Sequence, residues 1–271
     1  MRSLKELSLD KKILALVNVL SPSGKATKAA EFLLGDSEIR AMQDYANTVS
    51  IKRLGYNDHG PVHMRTVALN TLRMMELFRK ARIKTSLELE ESGDFEDSLV
   101  AVLMAGFLHD VGMTMGRQDH EIHGSYLAAP LIDRLLQRIY PDNILLRVSV
   151  RSVALESISG HMGNRTIHSL EAGVILVADG CDMEKGRARI PIALASGPRV
   201  GDIHKYSANA ITYVRISAGK EKPIRIDVSM SAEVGLFQVE EVLLGKIAAS
   251  TAKGYIELYA EVTGKESKRY L

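Results

Sequence analysis

The histidines of this chain are the residues whose type and spacing could perform chemistry. Seven of the eight histidines lie between residues 59 and 168, and one of them forms the dipeptide His109-Asp110. This dipeptide follows the run from Leu99 to Leu108, which is too apolar for a surface helix and is predicted to be buried. Burying an imidazole and a carboxylate costs several kcal/mol of hydration free energy unless a partner compensates for it. The pair is therefore interpreted either as a hydrogen-bonded structural pair or as two ligands of a divalent cation.

Two further segments favour the metal-binding interpretation. His59 and His63 are four residues apart at the start of a predicted helix, so both side chains fall on roughly the same side. Asp179 ends the apolar helical run 172–178, which places another carboxylate at depth. Imidazole and carboxylate ligands suit Zn, Fe, Mn or Ni, and a mixed set with room for water is typical of a catalytic site. Cys181 is interpreted as a small buried apolar residue rather than as a ligand.

Helices are predicted to position these residues, because apolar side chains recur at three- and four-residue spacing through the first 185 residues. After Gly186 the pattern changes, and β-branched alternation around the turn 218–220 predicts a β-hairpin. A helix and a strand follow, so the fold class is mainly α, with a helical domain over 1–200 and a small C-terminal α+β (β-β-α-β) unit over 205–271. The predicted helices are 4–20, 26–34, 37–53, 61–82, 97–109, 121–139, 143–159, 169–183 and 238–250, and the last strand is 254–262.

The composition excludes several classes of protein. Apolar residues make up 46% and charged residues 25% of the 271 residues, which is unlike a disordered chain, and no all-apolar stretch of about 18 residues is present. The net charge of +2, the absence of Trp and the five Phe argue against a nucleic-acid partner. One cysteine and no secretion signal lead us to expect a cytoplasmic protein without a membrane partner.

Together these features resemble the HD-domain metal-dependent phosphohydrolase superfamily, whose signature is an isolated His, a His-Asp pair and a later Asp on separate helices. The resemblance covers roughly residues 50–185, and it assigns nothing to the C-terminal unit. Residues 56–63 also resemble the H-x-x-x-H entry helix of cyclic-nucleotide phosphodiesterases. The signature residues in this sequence are His63, His109, Asp110 and Asp179.

The resemblance implies a site for two divalent transition metal ions, with a hydroxide between them as the nucleophile. Members with two metals, such as the HD-GYP branch, take further histidines from intervening helices, and His123 and His161 lie at such positions. His120 is an alternative to the favoured His123. The ligand set implied is His63, His109 and Asp179 for one ion, His123 and His161 for the other, and Asp110 as the bridge.

Two neighbouring residues have roles that the resemblance leaves open. His59 would protonate the leaving oxygen by analogy with the H-x-x-x-H pattern, but it is also a candidate ligand or structural residue. Asp182 would accept a hydrogen bond from a ligand or bind an additional metal. The HD-GYP branch has Lys where this chain has Met113, and it has a Gly-Tyr-Pro motif that is missing near His161. Cyclic di-GMP is therefore not the favoured substrate.

The implied activity is hydrolysis of a nucleotide or another phosphate mono- or diester. A small phosphorylated substrate needs cations, and Lys185, Arg187 and Arg189 form a basic cluster directly after the helix of Asp179. The cluster is interpreted either as a phosphate-binding site or as a solvated exit loop. Arg165 and Arg117 are lesser candidates. The alternatives to hydrolysis are a di-iron oxygenase on the HD scaffold and a non-catalytic metal- or nucleotide-binding regulatory module.

The C-terminal unit offers a further expectation. Its last predicted strand, 254–262, would present an exposed edge that a second chain could cover, so a homodimer is expected. The alternative is a unit that packs on its own helical body.

Overall fold

The computed structural model describes residues 2–185 and 203–271, in which a helical body precedes a small α+β unit. The prediction of a mainly α fold with a C-terminal β-β-α-β unit is confirmed. Most predicted helices agree with the structure to within one or two residues at each end. The helices of the body are α1 Leu4–Leu20, α2 Lys25–Gly35, α3 Ser37–Thr48, α4 Pro61–Lys80, α5 Ser86–Leu89, α6 Phe95–Leu108, α7 His120–Ile139, α8 Ile144–Gly160 and α9 Leu170–Gly180.

Helix α6 is the central element of the helical body. Every residue from Glu96 to Leu108 is buried, as its sequence predicts. By length and composition, Phe95–Thr114 is also the one described segment that could cross a membrane, but 94% of its most apolar 18-residue stretch is buried inside the protein. This burial identifies α6 as a core helix, and it places the residues that follow Leu108 at the centre of the body.

Acidic residues form a capping box at the start of α6. Asp94 caps α6 by accepting a hydrogen bond from the Asp97 backbone N–H, and the Asp97 carboxylate bonds back to the Asp94 backbone N–H. Asp97 also binds Lys25 and the hydroxyl of Tyr140. These acids satisfy the amide groups that begin the central helix.

The C-terminal unit begins with α10 Ile203–Ala210 and forms one four-stranded sheet, in the order β1 Ile211–Ala218, β2 Ile224–Met230, β3 Ile256–Val262 and β4 Lys268–Arg269. Strands β1 and β2 form the predicted antiparallel hairpin. Strand β3 runs parallel to β2, and the connection between them contains a π-helical turn, Gln238–Leu243, followed by α11 Leu244–Ala249. The order of elements predicted for this unit is confirmed.

The strand predicted to offer an exposed edge is not an edge. Strand β3 is flanked by β2 on one side and by β4 on the other, where Tyr259 pairs with Arg269. The chain end continues this cover, since the Tyr270 N–H donates to the carbonyl of Leu258. The expected homodimer therefore loses the reason given for it and stays a prediction.

The core is continuous through both parts of the described chain. One cluster of buried apolar side chains includes Ile13 of α1, Leu103 of α6, Val177 of α9 and Ile226 of β2. Burial of this kind contributes about 25 cal/mol per Å² of apolar surface. The division into domains over 1–200 and 205–271 stays a prediction, because the proposed boundary lies mostly in residues outside those described.

A buried polar network fixes the helices behind the site. Arg65 of α4 donates to Asp10 Oδ1 of α1 at 2.6 Å and to Gln43 Oε1 of α3 at 3.1 Å. Gln43 in turn donates to the carbonyl of Phe107 at 2.8 Å. Because Arg65 and Phe107 each stand two residues from a histidine of the site, the network determines how α4 and α6 face each other.

Candidate metal centre

Five helices bring their ends or faces to one point in the helical body. His63 lies in the first turn of α4, His109 and Asp110 follow α6, and His120 begins α7. His161 follows α8 and Asp179 lies at the end of α9, and all six residues are buried. The Oδ or Nε2 atoms of these side chains form groups whose members lie within 4.8 Å of one another and could hold metal ions. These groups are His63, His109 and Asp110; His109, His161 and Asp179; and Asp110, His120 and His161.

The outer nitrogen of each ring has a hydrogen-bond acceptor. Nδ1 of His109 lies 3.1 Å from the carbonyl of Gly106, and Nδ1 of His161 lies 2.7 Å from the carbonyl of Ile158. These carbonyls belong to the last turns of α6 and α8, where helix geometry leaves such groups without an intrahelical donor. Nδ1 of His120 faces the carbonyl of Arg117 at 2.9 Å in the same way. A carbonyl accepts only, so these Nδ1 atoms carry the protons and the Nε2 lone pairs face the centre.

His63 follows the same rule with a side chain in place of a carbonyl. Its Nδ1 lies 2.6 Å from Oδ2 of Asp182, which gives Asp182 the hydrogen-bonding position that was one of its two predicted roles. A carboxylate behind a histidine fixes the orientation of the ring and raises the basicity of the opposite nitrogen. His63 is thereby prepared to present its Nε2 lone pair to the centre.

The inward nitrogens lie too close to each other to be stable without a cation. Nε2 of His63 is 3.0 Å from Nε2 of His109, and Nε2 of His120 is 3.2 Å from Nε2 of His161. Each contact joins two lone pairs, because the protons are held on Nδ1. Metal ions are the partners that imidazole lone pairs and carboxylates share, so this donor set fits divalent transition metals.

Asp110 lies between the two pairs of histidines. Its Oδ2 is 3.1 Å from Nε2 of His63 and 3.5 Å from Nε2 of His109, whereas its Oδ1 is 3.2 Å from Nε2 of His120 and 3.5 Å from Nε2 of His161. Oδ2 is fully buried and accepts no hydrogen bond within the described residues. One oxygen toward each pair is the arrangement that a bridging carboxylate needs.

Asp179 faces the pair formed by His63 and His109. Its Oδ1 lies 3.2 Å from Nε2 of His63 and 3.9 Å from Nε2 of His109. Its Oδ2 accepts a hydrogen bond from the ammonium of Lys246, which also donates to the carbonyl of His161 at 2.8 Å. The carboxylate therefore has one oxygen for the centre and one for a lysine of the C-terminal unit.

The protonation states match those that metal binding requires. Burial alone would raise the pKa of Asp110, but its interactions with neighbouring histidines, first His109 and then His59, hold it well below the usual range. Burial alone would also raise the pKa of Asp179, but the positive charge of Lys246 outweighs burial and lowers that pKa well below its usual range. Burial lowers the pKa of His161 to about 4, so its ring is neutral near pH 7. Charged carboxylates and a neutral imidazole are the forms that bind metals.

The structure brings His120, and not His123, into the cluster, so the preference for His123 is corrected. Both residues lie on the first turns of α7, but the helix begins at His120 directly beside Asp110. Gly112 sets this contact, because a Cβ on Gly112 would lie 1.9 Å from the carbonyl of His120 and 2.5 Å from the backbone nitrogen of Gly124. His123, one turn later, is half-buried and belongs to none of the described ligand groups.

His59 stands beside the centre. It precedes α4, and its ring centroid lies 5.8 Å from that of His63. Its Nδ1 lies 2.7 Å from the carbonyl of Asn57 and 2.9 Å from the hydroxyl of Ser50, so the ring is held from that side. His59 is not a member of the ligand groups, and its predicted role as proton donor stays a prediction.

A cleft of about 350 Å³ opens over the centre. This volume falls in the range of about 300–1,000 Å³ that is typical of small-molecule sites. Among the residues that line the cleft are His59, Asp110, Arg117, His161, Asp179 and Lys246.

The cations predicted to bind phosphate are distributed differently from the expectation. Arg187 and Arg189 lie outside the described residues. Lys185 and Arg165 are exposed and do not line the cleft, whereas Arg117, a lesser candidate, does. Lys246 was missed by the sequence analysis, although a single lysine in the apolar segment 242–249 is a usable signal for a buried cation.

The chain has a relative of similar length. It is 39% identical over 230 residues to the uncharacterized protein MJ1020 of Methanocaldococcus jannaschii, and the match covers 85% of this chain and 86% of the relative. No family model matches the sequence, and no solved structure matches it. The name of the relative states no activity.

Proposed function

This chain belongs to the family of the uncharacterized protein MJ1020, and we propose that its centre makes it a metal-dependent phosphohydrolase of the HD type. The proposed substrate is a nucleotide or another small phosphate mono- or diester. The proposed cofactors are two divalent ions chosen among Fe, Mn, Zn and Ni.

One observation carries the proposal. The two Nε2 atoms are 3.0 Å apart in one pair of imidazoles and 3.2 Å apart in the other. Both pairs face the Asp110 carboxylate, which directs one oxygen to each pair, and all of these side chains are buried. A purely structural cluster would place a proton between such nitrogens, but here the protons are used on the outer side of each ring. The arrangement is therefore supported as a ligand set rather than as a hydrogen-bonded core.

Each residue has a definite task in this proposal. His63, His109 and Asp179 would hold one ion, His120 and His161 the other, and Asp110 would contact both. Ions bound there would polarise a phosphate oxygen and lower the pKa of water toward neutrality. The backbone carbonyls behind His109, His120 and His161 keep their lone pairs directed inward, and Asp182 does the same for His63.

His59 supplies the proton in this proposal. Its ring lines the cleft next to His63, and the contacts of its Nδ1 with Asn57 and Ser50 fix its orientation. A positioned imidazole contributes about 10²- to 10⁴-fold to such a transfer. The proton would go to the ester oxygen that leaves the phosphate.

The first test is the metal content of the purified full chain, measured by elemental mass spectrometry beside an Asp110→Ala variant. The proposal expects about two transition-metal ions per chain, fewer in the variant, and hydrolysis of bis(p-nitrophenyl) phosphate or p-nitrophenyl phosphate that the variant loses while its far-UV circular dichroism is retained. The exposed Asp142→Ala variant is the matched control.

Four results would contradict the proposal in different ways. If the chain contains no metal and binds none after incubation with each ion, the cluster has a structural role. Metal with turnover retained in Asp110→Ala would remove Asp110 from the chemistry. Metal with oxygen uptake in the ferrous form and no phosphate release would favour the oxygenase alternative, and nucleotide binding without turnover would favour a regulatory module.

A further inference from the structure

The C-terminal unit packs closely against the helix that carries Asp179. A Cβ on Gly173 of α9 would lie 2.1 Å from Oγ1 of Thr251, and a Cβ on Gly180 would lie 3.1 Å from Cδ of Lys246. Thr251 also donates to the carbonyl of Ser169 at 2.7 Å. The two glycines are seven residues apart, two turns of one helix, so α9 offers a face without side chains to the segment around α11.

This packing delivers Lys246 to the centre. Its side chain is 12% exposed, and two of its three ammonium donors are used by Asp179 Oδ2 and by the carbonyl of His161. The lysine lines the cleft, and Gln238 and Val242 of the same segment line it too. Among the residues that the structure describes, nothing else accepts from this ammonium, so its third donor remains for a molecule in the cleft.

Arg117 is the other described cation of the cleft. Its guanidinium lies 3.4 Å from Nε2 of His120 and 3.8 Å from the sulfur of Met162, and it has no carboxylate partner within the described residues. A half-buried guanidinium has five donors in a fixed fork, and carboxylates or phosphates are its usual partners. Such a group beside a metal centre is suited to bind an anion.

We propose that the C-terminal unit completes the substrate site, and that Lys246 and Arg117 together bind the phosphate group of the substrate over the metal centre. This inference rests on the proposed function, since it assumes that metal ions occupy the ligand set. The C-terminal unit would thereby take part in substrate binding. The site would favour substrates whose phosphate group is accessible to both Lys246 and Arg117.

The test uses inorganic phosphate as the probe and the metal-loaded full chain as the protein. Isothermal titration calorimetry would compare the wild type with Lys246→Met and Arg117→Met, and metal content would be measured for each sample. We expect each variant to weaken phosphate binding at least tenfold with metal content unchanged. Lys253→Met and Arg147→Met are matched controls, because both residues lie outside the cleft, and they should bind phosphate as the wild type does.

The outcomes separate this inference from the proposed function. A wild type that holds no metal contradicts the proposed function itself. A metal-loaded wild type that binds no phosphate, or variants that bind it normally, overturn the inference and leave the metal centre standing. Loss of metal in Lys246→Met would make Lys246 a residue that positions Asp179, and would also overturn its assignment as a phosphate ligand.

Discussion

Replacement of Asp182 by Asn should weaken metal binding on one side of the centre. Asp182 is the carboxylate that holds Nδ1 of His63 at 2.6 Å, and it is buried. The other three ligand rings are held by backbone carbonyls, which no substitution removes. Asp182→Asn therefore tests the negative charge behind one ligand ring without touching the ligand itself.

The expected loss is 10- to 100-fold in metal affinity, which is the usual effect of removing a group that hydrogen-bonds a metal ligand. This corresponds to about 1.4–2.8 kcal/mol of binding free energy. The amide oxygen of Asn can still accept from His63, so the ring stays oriented and mainly the charge is lost. Because Nε2 of His63 lies near Oδ2 of Asp110 and Oδ1 of Asp179, the loss should fall on the ion that these residues would hold.

The assay is a competition titration of the metal-free full chain with a chromophoric chelator. The wild type should show two equivalents, and in Asp182→Asn one of them should be weakened while the other keeps its affinity. Asp142→Asn, on an exposed turn, is the control and should titrate as the wild type does. Unchanged affinities would refute the role of Asp182, and equal weakening of both equivalents would refute the separation into two ion positions.

Two substitutions test the framework around the centre. Burial alone would raise the pKa of Glu96, but hydrogen bonds from two serines between α1 and α2 lower it below 4.5. The ionised Glu96 carboxylate therefore contributes its full stabilisation above pH 4.5, and this is lost as the pH falls through the folded-state pKa. Glu96→Gln should lower the free energy of unfolding in urea by about 1–3 kcal/mol at pH 7 and by less at pH 3. Gly112→Ala should separate His120 from Asp110 and lower both the melting temperature and the metal content. A variant with the melting temperature and the metal content of the wild type would contradict this account of Gly112.

The helices could be predicted because their apolar spacing and their caps are local. Helix α1 has Ser3 and Glu6 as a capping box, and Asp36 caps α3, so both starts are visible in the sequence. Other boundaries depended on tertiary contacts. The helix predicted over 37–53 changes at residue 49 to a π-helical turn, Val49–Arg53, whose Ser50 then contacts His59. Periodicity alone does not distinguish such a turn from regular α-helix.

The choice between His120 and His123 shows the limit of spacing arguments. Three residues of α-helix rotate the side chain by about 300° and advance it by about 4.5 Å, so both histidines fall near the same face. What separates them is the depth at which α7 begins, and that is set by the contact of Gly112 with the backbone of α7. This contact cannot be predicted from the segment that contains both histidines, because it depends on Gly112.

Lys246 could not be assigned by resemblance, because the resemblance ends near residue 185 while the site does not. The lysine is 67 residues from Asp179 along the chain, and only the packing of α11 on the glycines of α9 brings the two together. A helical unit that ended at residue 200 would expose this glycine face and leave Oδ2 of Asp179 without its ammonium. The same contact that packs the C-terminal unit on α9 therefore also joins this unit to the candidate metal centre of the helical body.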